Sequence, residues 1–139
     1  MNKLPNKPSA LIRLALADLA LCKADPEYAL DMSNWHYYNT YYSGLCYVCF
    51  AGSVMAKTLK VNRLKRFNPS LFIHSIEYKL SSLEFFRNGD VDSGLEYFFD
   101  FRRNFNLTGF KPPRWRKTEQ GYSPAYLGRL ADEFERCGL

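Results

Sequence analysis

The chain has 139 residues, of which 47% are apolar, and carries a formal net charge of +5. This length and apolar content suit one folded domain with its own core and exclude a disordered chain. No apolar run approaches the roughly 18 residues of a membrane-spanning helix, so we expect a cytoplasmic protein that makes no membrane contact. A moderate positive charge favours acidic partners without by itself indicating nucleic-acid binding.

The first half of the chain predicts a helix, a short strand and a second helix. The first helix is predicted to begin at Pro8, whose fixed φ suits a first turn, and to end before Pro26. Apolar and polar residues alternate over 28–32, which is typical of a half-exposed strand. Residues 34–43 form either a polar aromatic loop or the rest of a small β-hairpin. From Leu45 the pattern predicts a central helix.

Small residues recur at helical spacing on this predicted central helix, at Cys49, Gly52, Ser53 and Ala56. Glycine costs a helix about 1 kcal/mol relative to alanine. We therefore expect Gly52 to lie against another backbone that a side chain would exclude.

The second half predicts three more helices. One covers residues 73–86 and ends at Asn88-Gly89, a second is capped by Asp92 and continues to about residue 101, and the last opens at Ser123-Pro124. A basic loop containing proline lies before the last helix. Together these elements predict a mainly α fold, a single compact helical domain over residues 1–139 with a small β-hairpin.

Cys46 and Cys49 have the two-residue gap of a zinc knuckle, and His36 lies ten residues before Cys46. A fourth ligand would have to come from His74, Cys22 or Cys137, and the usual second pair of ligands at short spacing is missing. Packed cysteines in a reducing cytosol are the alternative, because free cysteine is among the most buried residue types. We expect no metal and no cofactor, although the spacing leaves a zinc site open.

Two basic clusters are candidate binding surfaces for an anion. The first includes Lys57, Lys60 and Arg63 in the stretch 57–66, and the second includes Arg114, Trp115 and Arg116 in the stretch 111–117. Arginines beside a tryptophan can pair with phosphates while the ring stacks on a base. A solvated helix end and a surface loop are the alternatives.

A third candidate surface is the aromatic segment that begins with Trp35 and His36 and continues to residue 42. Its rings could form the wall of a pocket for a planar ligand. The alternative is a hydrophobic lid over the core.

One distinctive motif is W-H followed by C-Y-V-C-F-A-G-S-V-M-A-K-T-L, within Asp31–Leu59, and a looser one is KLSSLEFFRNGDVDSGL, residues 79–95. In these motifs the chain resembles small proteins encoded by tailed bacteriophages. The resemblance implies a phage accessory protein in the cytoplasm of the bacterial host. Small proteins of this kind often inhibit or sequester host components, including defence proteins and their nucleotide signals. The resemblance assigns no residue a role.

The sequence therefore predicts a non-enzymatic, phage-type binding protein that inhibits or sequesters a host component. Its partner would be a host protein or an anionic small molecule such as a signalling nucleotide. The first alternative is a nucleic-acid-binding protein, and the second is a small metal or thiol enzyme centred on His36, Cys46 and Cys49. The oligomeric state is left open.

Overall fold

The structure, a computed structural model, describes residues 4–41, 43–66, 68, 72–99, 109–116 and 123–139. These residues form five helices and three short strands: α1 Pro8–Ala24, β1 Tyr28–Leu30, β2 His36–Tyr38, β3 Cys46–Val48, α2 Phe50–Lys57, α3 His74–Arg87, α4 Val91–Phe99 and α5 Pro124–Arg136. The predicted mainly α fold with a small sheet is confirmed. No helix in the described ranges has the length and apolar character needed to cross a membrane.

The described residues divide into two compact units. The described part of the first unit consists of Leu14–Ile73, and the second unit consists of Lys3–Arg13 together with His74–Leu139. The boundary between the units therefore falls within α1, between Arg13 and Leu14. The prediction of one domain over residues 1–139 stays a prediction.

The first unit contains a three-stranded sheet with the order β1-β3-β2. β3 pairs in parallel with β1, with Tyr28 opposite Cys46, and antiparallel with β2, with His36 opposite Val48. The hairpin is therefore formed by β2 and β3. The strand predicted at 28–32 does not pair with the segment that follows it, because β3 lies between them.

The helix predicted from Leu45 is wrong at its start, because Cys46, Tyr47 and Val48 form the central strand β3. Tyrosine and valine favour strands, and strands on both sides of β3 pair with its backbone. The apolar pattern was misleading because this buried strand runs almost directly into a buried helix. Cys49, in an extended conformation, is the N-cap of α2.

Gly52 lies in the fully buried first turn of α2. A β-carbon at this position would lie 1.3 Å from the carbonyl oxygen of Trp35. The prediction that Gly52 approaches another backbone closely is therefore confirmed. Its neighbour is the loop before β2.

The second unit is built from α3, α4, α5 and the start of α1. Its buried residues recur at helical spacing, as predicted for α3, at Ile76, Leu80, Leu83 and Phe86. Gly89 has a φ of +80° and ends α3, and Ser123 caps α5 by accepting a hydrogen bond from the amide of Tyr126.

The predicted cap at Asp92 is wrong. α4 begins at Val91, so the preceding Asp90 is its cap, and the Asp90 carboxylate accepts a hydrogen bond from the Ser93 amide at 3.2 Å. An N-cap side chain must stand immediately before the first helical residue to reach the free amides of the first turn. The predicted continuation to residue 101 lies outside the described residues.

Candidate functional site

A pocket of about 400 Å³ opens in the first unit. It is lined by Ser33, Asn34, Trp35, His36, Tyr37 and Arg66. This volume lies within the roughly 300–1,000 Å³ of small-ligand sites, and the lining combines aromatic rings with a few polar groups, as such sites do. We call it the Trp35 pocket. Two of the residues predicted from the sequence, Trp35 and His36, line it.

The loop that carries Trp35 is held at both ends. At its start, the carboxylate of Asp31 accepts hydrogen bonds from the amide and hydroxyl of Ser33, at 2.9 and 2.6 Å, and from the side chain of Asn34 at 2.9 Å. These bonds hold the pKa of Asp31 below its usual value. At its end, the carbonyl of Trp35 packs on Gly52. The polar rim and the backbone of Trp35 are therefore placed by the fold before any ligand arrives.

His36 is buried, with only 2% of its surface exposed. Its Nδ1 lies 2.6 Å from the carbonyl oxygen of Lys65, and because a carbonyl only accepts, Nδ1 carries the proton. Its Nε2 lies 3.6 Å from Sγ of Cys46, which can donate to it. Burial lowers the pKa of His36, so the ring is favoured in its neutral form. The bond to Lys65 ties the neighbouring Arg66 to the pocket.

Arg66 supplies the positive charge of the Trp35 pocket. Its side chain is exposed, and its guanidinium carbon lies 4.4 Å from the centre of the Tyr37 ring. Among the residues that the structure describes, Arg66 forms no ion pair. A guanidinium that lies over a ring keeps N–H groups in its own plane, where they can donate to an anion.

The geometry around the two central cysteines favours structural roles. Cys46 is buried on β3 against His36, and burial raises the pKa of its thiol to about 11. Cys49 accepts a hydrogen bond from the Gly52 amide at 3.5 Å as the cap of α2. A nucleophilic or metal-binding cysteine must be a thiolate, which burial disfavours at Cys46. Within the described ranges, no group of three or more His, Cys, Asp or Glu side chains could hold a metal ion.

Two members of the basic cluster at 57–66 pair with nearby acids. Lys57 pairs with Asp25 at 2.7 Å, which raises the pKa of Lys57, and Arg63 pairs with Glu27 at 3.4 Å. Lys60 is exposed and has a φ of +59°. None of the three lines the Trp35 pocket. Lys57 and Arg63 therefore connect parts of the first unit to each other.

Arg114, Trp115 and Arg116 belong to the second unit. The Trp115 ring is 37% exposed and stacks on Tyr126, with ring centres 4.0 Å apart and planes 12° apart. The side chains of Arg114 and Arg116 are exposed, while the Arg114 carbonyl accepts a hydrogen bond from Arg129. One face of Trp115 is thus already covered. Lys117, the end of the predicted basic stretch, lies outside the described residues.

Arg66 is the residue that sequence reasoning did not single out. It belongs to the basic stretch 57–66, but no local pattern distinguishes it from its neighbours there. Its position depends on the hydrogen bond between His36 and Lys65, which are 29 residues apart in the chain. The sequence signal for Arg66 was its membership of a basic stretch whose arginines could reach the aromatic segment.

Comparisons of the chain with protein-family models, with curated proteins and with solved structures found no match. The chemistry of the Trp35 pocket is therefore the basis for a functional proposal.

Proposed function

We propose that the protein is a non-enzymatic binding protein of the phage accessory type, which sequesters a planar anionic ligand such as a nucleotide in the Trp35 pocket. By holding that ligand it would deprive a host component of its signal. The observation that carries the proposal is Arg66, an exposed guanidinium held 4.4 Å over the Tyr37 ring at a pocket that Trp35 also lines.

The pocket offers both kinds of contact that a nucleotide requires. Stacking of a base on an aromatic side chain contributes about 1–3 kcal/mol, and a hydrogen bond to a charged group contributes about 1.5–3 kcal/mol. The Asp31 turn and the bond between His36 and Lys65 hold the polar rim and Arg66 in place. Because these residues are already held in place, ligand binding loses less conformational entropy.

The same contacts favour binding over catalysis. His36 is the pocket residue best suited to accept a proton near neutral pH, but both of its ring nitrogens are already engaged, by Lys65 and by Cys46. A general base must reach the proton that it removes from the substrate. His36 therefore serves as a positioning residue for Arg66 in this proposal.

The test is isothermal titration of the purified protein with AMP, a cyclic dinucleotide and the uncharged nucleoside adenosine. We expect the phosphate-containing ligands to bind at least about tenfold more tightly than adenosine. Arg66→Gln should remove that preference, a loss of about 1.4 kcal/mol or more. Arg116→Gln, at an exposed arginine of the second unit, is the matched control and should bind as the parent does. Equal affinities for AMP and adenosine would contradict the proposal.

Nucleic-acid binding is the second candidate, favoured by the exposed Arg114 and Arg116 beside a partly exposed Trp115. A protein that binds through phosphates loses affinity steeply as salt rises. Gel-shift measurements with single-stranded and duplex DNA at two salt concentrations test it. Under this alternative Arg114→Glu with Arg116→Glu abolishes the shift and Arg66→Gln does not.

A further inference from the structure

A second cavity, of about 550 Å³, lies in the second unit and has no part in the function proposed above. Its apolar wall is aromatic, formed by Tyr78, Tyr97, Phe98 and Phe99. We call it the Lys79 cavity, after the cation that also lines it. The volume is large enough for a ligand of one or two fused rings.

The aromatic wall is built as a connected series of rings. Ring centres are 5.6 Å apart between His74 and Tyr78, 6.0 Å between Tyr78 and Tyr97, and 4.9 Å between Tyr97 and Phe85, where the two rings stack. Each contact restrains the next ring. The wall is therefore formed by α3 and α4 before a ligand binds.

Lys79 places a partly buried positive charge in the cavity lining. Its ammonium donates to Oδ1 of Asn6 at 3.1 Å and to the carbonyl of Leu4 at 3.3 Å, and it lies 5.6 Å from the centre of the Phe98 ring. All of these partners are uncharged. Among the described residues no carboxylate pairs with Lys79, and burial lowers the pKa of this lysine.

A charge with only neutral partners in a partly desolvated place is stabilised by an incoming anion. An ammonium has three donors, and two of them are used by Asn6 and Leu4. The wall also includes His74 and Ser75 in the first turn of α3, where the partial positive charge of the helix N-terminus acts in the same direction. One lysine and one free donor suit a ligand with a single negative charge.

We infer that the Lys79 cavity is a second ligand site, which takes a small aromatic carboxylate. The ring lies against Tyr78, Tyr97 and Phe98, and the carboxylate accepts a hydrogen bond from Lys79. The site stands on contacts that are separate from those of the Trp35 pocket. It does not require that pocket to bind anything.

The test uses two probes of the same shape, 1-naphthoate and the neutral 1-naphthamide, titrated into the full chain by calorimetry. We expect naphthoate to bind at least about tenfold more tightly. Lys79→Met keeps the aliphatic stem and should remove this preference, whereas Lys79→Arg should keep it. Lys111→Met, at an exposed lysine of the same unit, is the matched control and should change nothing. Equal binding of the two probes by the parent overturns the inference.

A second experiment uses the parent protein, so its result does not depend on whether the Lys79→Met variant folds. Reductive methylation of the parent protein, read by mass spectrometry, should modify Lys79 more slowly when naphthoate is present, with Lys111 unaffected. Ser75→Trp, at an exposed residue of the lining, should block both probes by filling the cavity. Arg66→Gln should leave naphthoate binding intact. Loss of binding in Arg66→Gln, or methylation of Lys79 at an unchanged rate, overturns the assignment of the probe to this cavity.

Discussion

Replacing Gly52 by alanine tests the packing that holds the Trp35 pocket together. The new β-carbon would lie 1.3 Å from the carbonyl oxygen of Trp35 and 2.5 Å from its carbonyl carbon, whereas ordinary contacts begin near 3.4 Å. The shortfall of about 2 Å cannot be relieved by rotating a side chain, because both contacting atoms belong to backbone. The loop before β2 or helix α2 must therefore move.

The expected cost follows from two opposing effects. Overpacking of a tight core costs about 1–3 kcal/mol and occasionally more, and a clash with backbone lies at the upper end. Alanine returns up to about 1 kcal/mol of helix propensity. We therefore expect the free energy of unfolding to fall by about 2 kcal/mol or more, which lowers the melting temperature by about 6–12 °C for a chain of this size.

Urea denaturation and thermal melting measure this effect, and Gly128→Ala is the matched control. Gly128 lies within α5, where an added β-carbon would meet nothing within 4 Å. That change should raise stability by up to about 1 kcal/mol through helix propensity alone. If Gly52→Ala were as stable as the parent, the contact with Trp35 and the placement of the pocket would both be refuted.

Three further predictions concern single side chains. Burial lowers the pKa of His36 below 6.5, so the unfolded chain binds the proton more readily and the free energy of unfolding should fall as pH drops from about 7.5 through 6.5. In urea titrations at several pH values, His36→Gln should flatten this dependence on pH. His74→Gln, at an exposed histidine, is the control and should retain the dependence. Cys49→Ala removes the cap of α2 and should cost about 1 kcal/mol in chemical denaturation, whereas Cys49→Ser keeps an acceptor and costs less. Trp115→Ala removes the ring stacked on Tyr126 and should lower stability by about 1 kcal/mol or more, with a changed near-ultraviolet circular dichroism spectrum.

For each of these three predictions, one outcome would contradict it. A stability that rises on acidification toward about pH 6 would show that His36 is not held neutral. One zinc ion per chain, in protein purified without a metal-affinity tag, would contradict the structural role of Cys49. An unchanged stability in Trp115→Ala would leave that ring free to act in ligand binding, as the sequence predicts.

Local chemistry alone was enough to place most of the helices. Pro8, Gly89 and Ser123 mark helix boundaries because each acts on the backbone within a few residues of itself. The same local logic failed at β3. A buried strand followed at once by a buried helix is apolar at nearly every position, so its period does not distinguish one from the other.

The sequence indicated part of the candidate site, and the tertiary structure decided the rest. Composition marked the aromatic segment around Trp35 and His36, and helix propensity marked Gly52 as a point of close contact. Only the tertiary structure decided that Gly52 meets Trp35, and that Arg66 rather than Lys57 brings charge to the pocket. Such pairings join residues far apart in the chain. They depend on how strands and loops close on one another, and no local pattern records that closure.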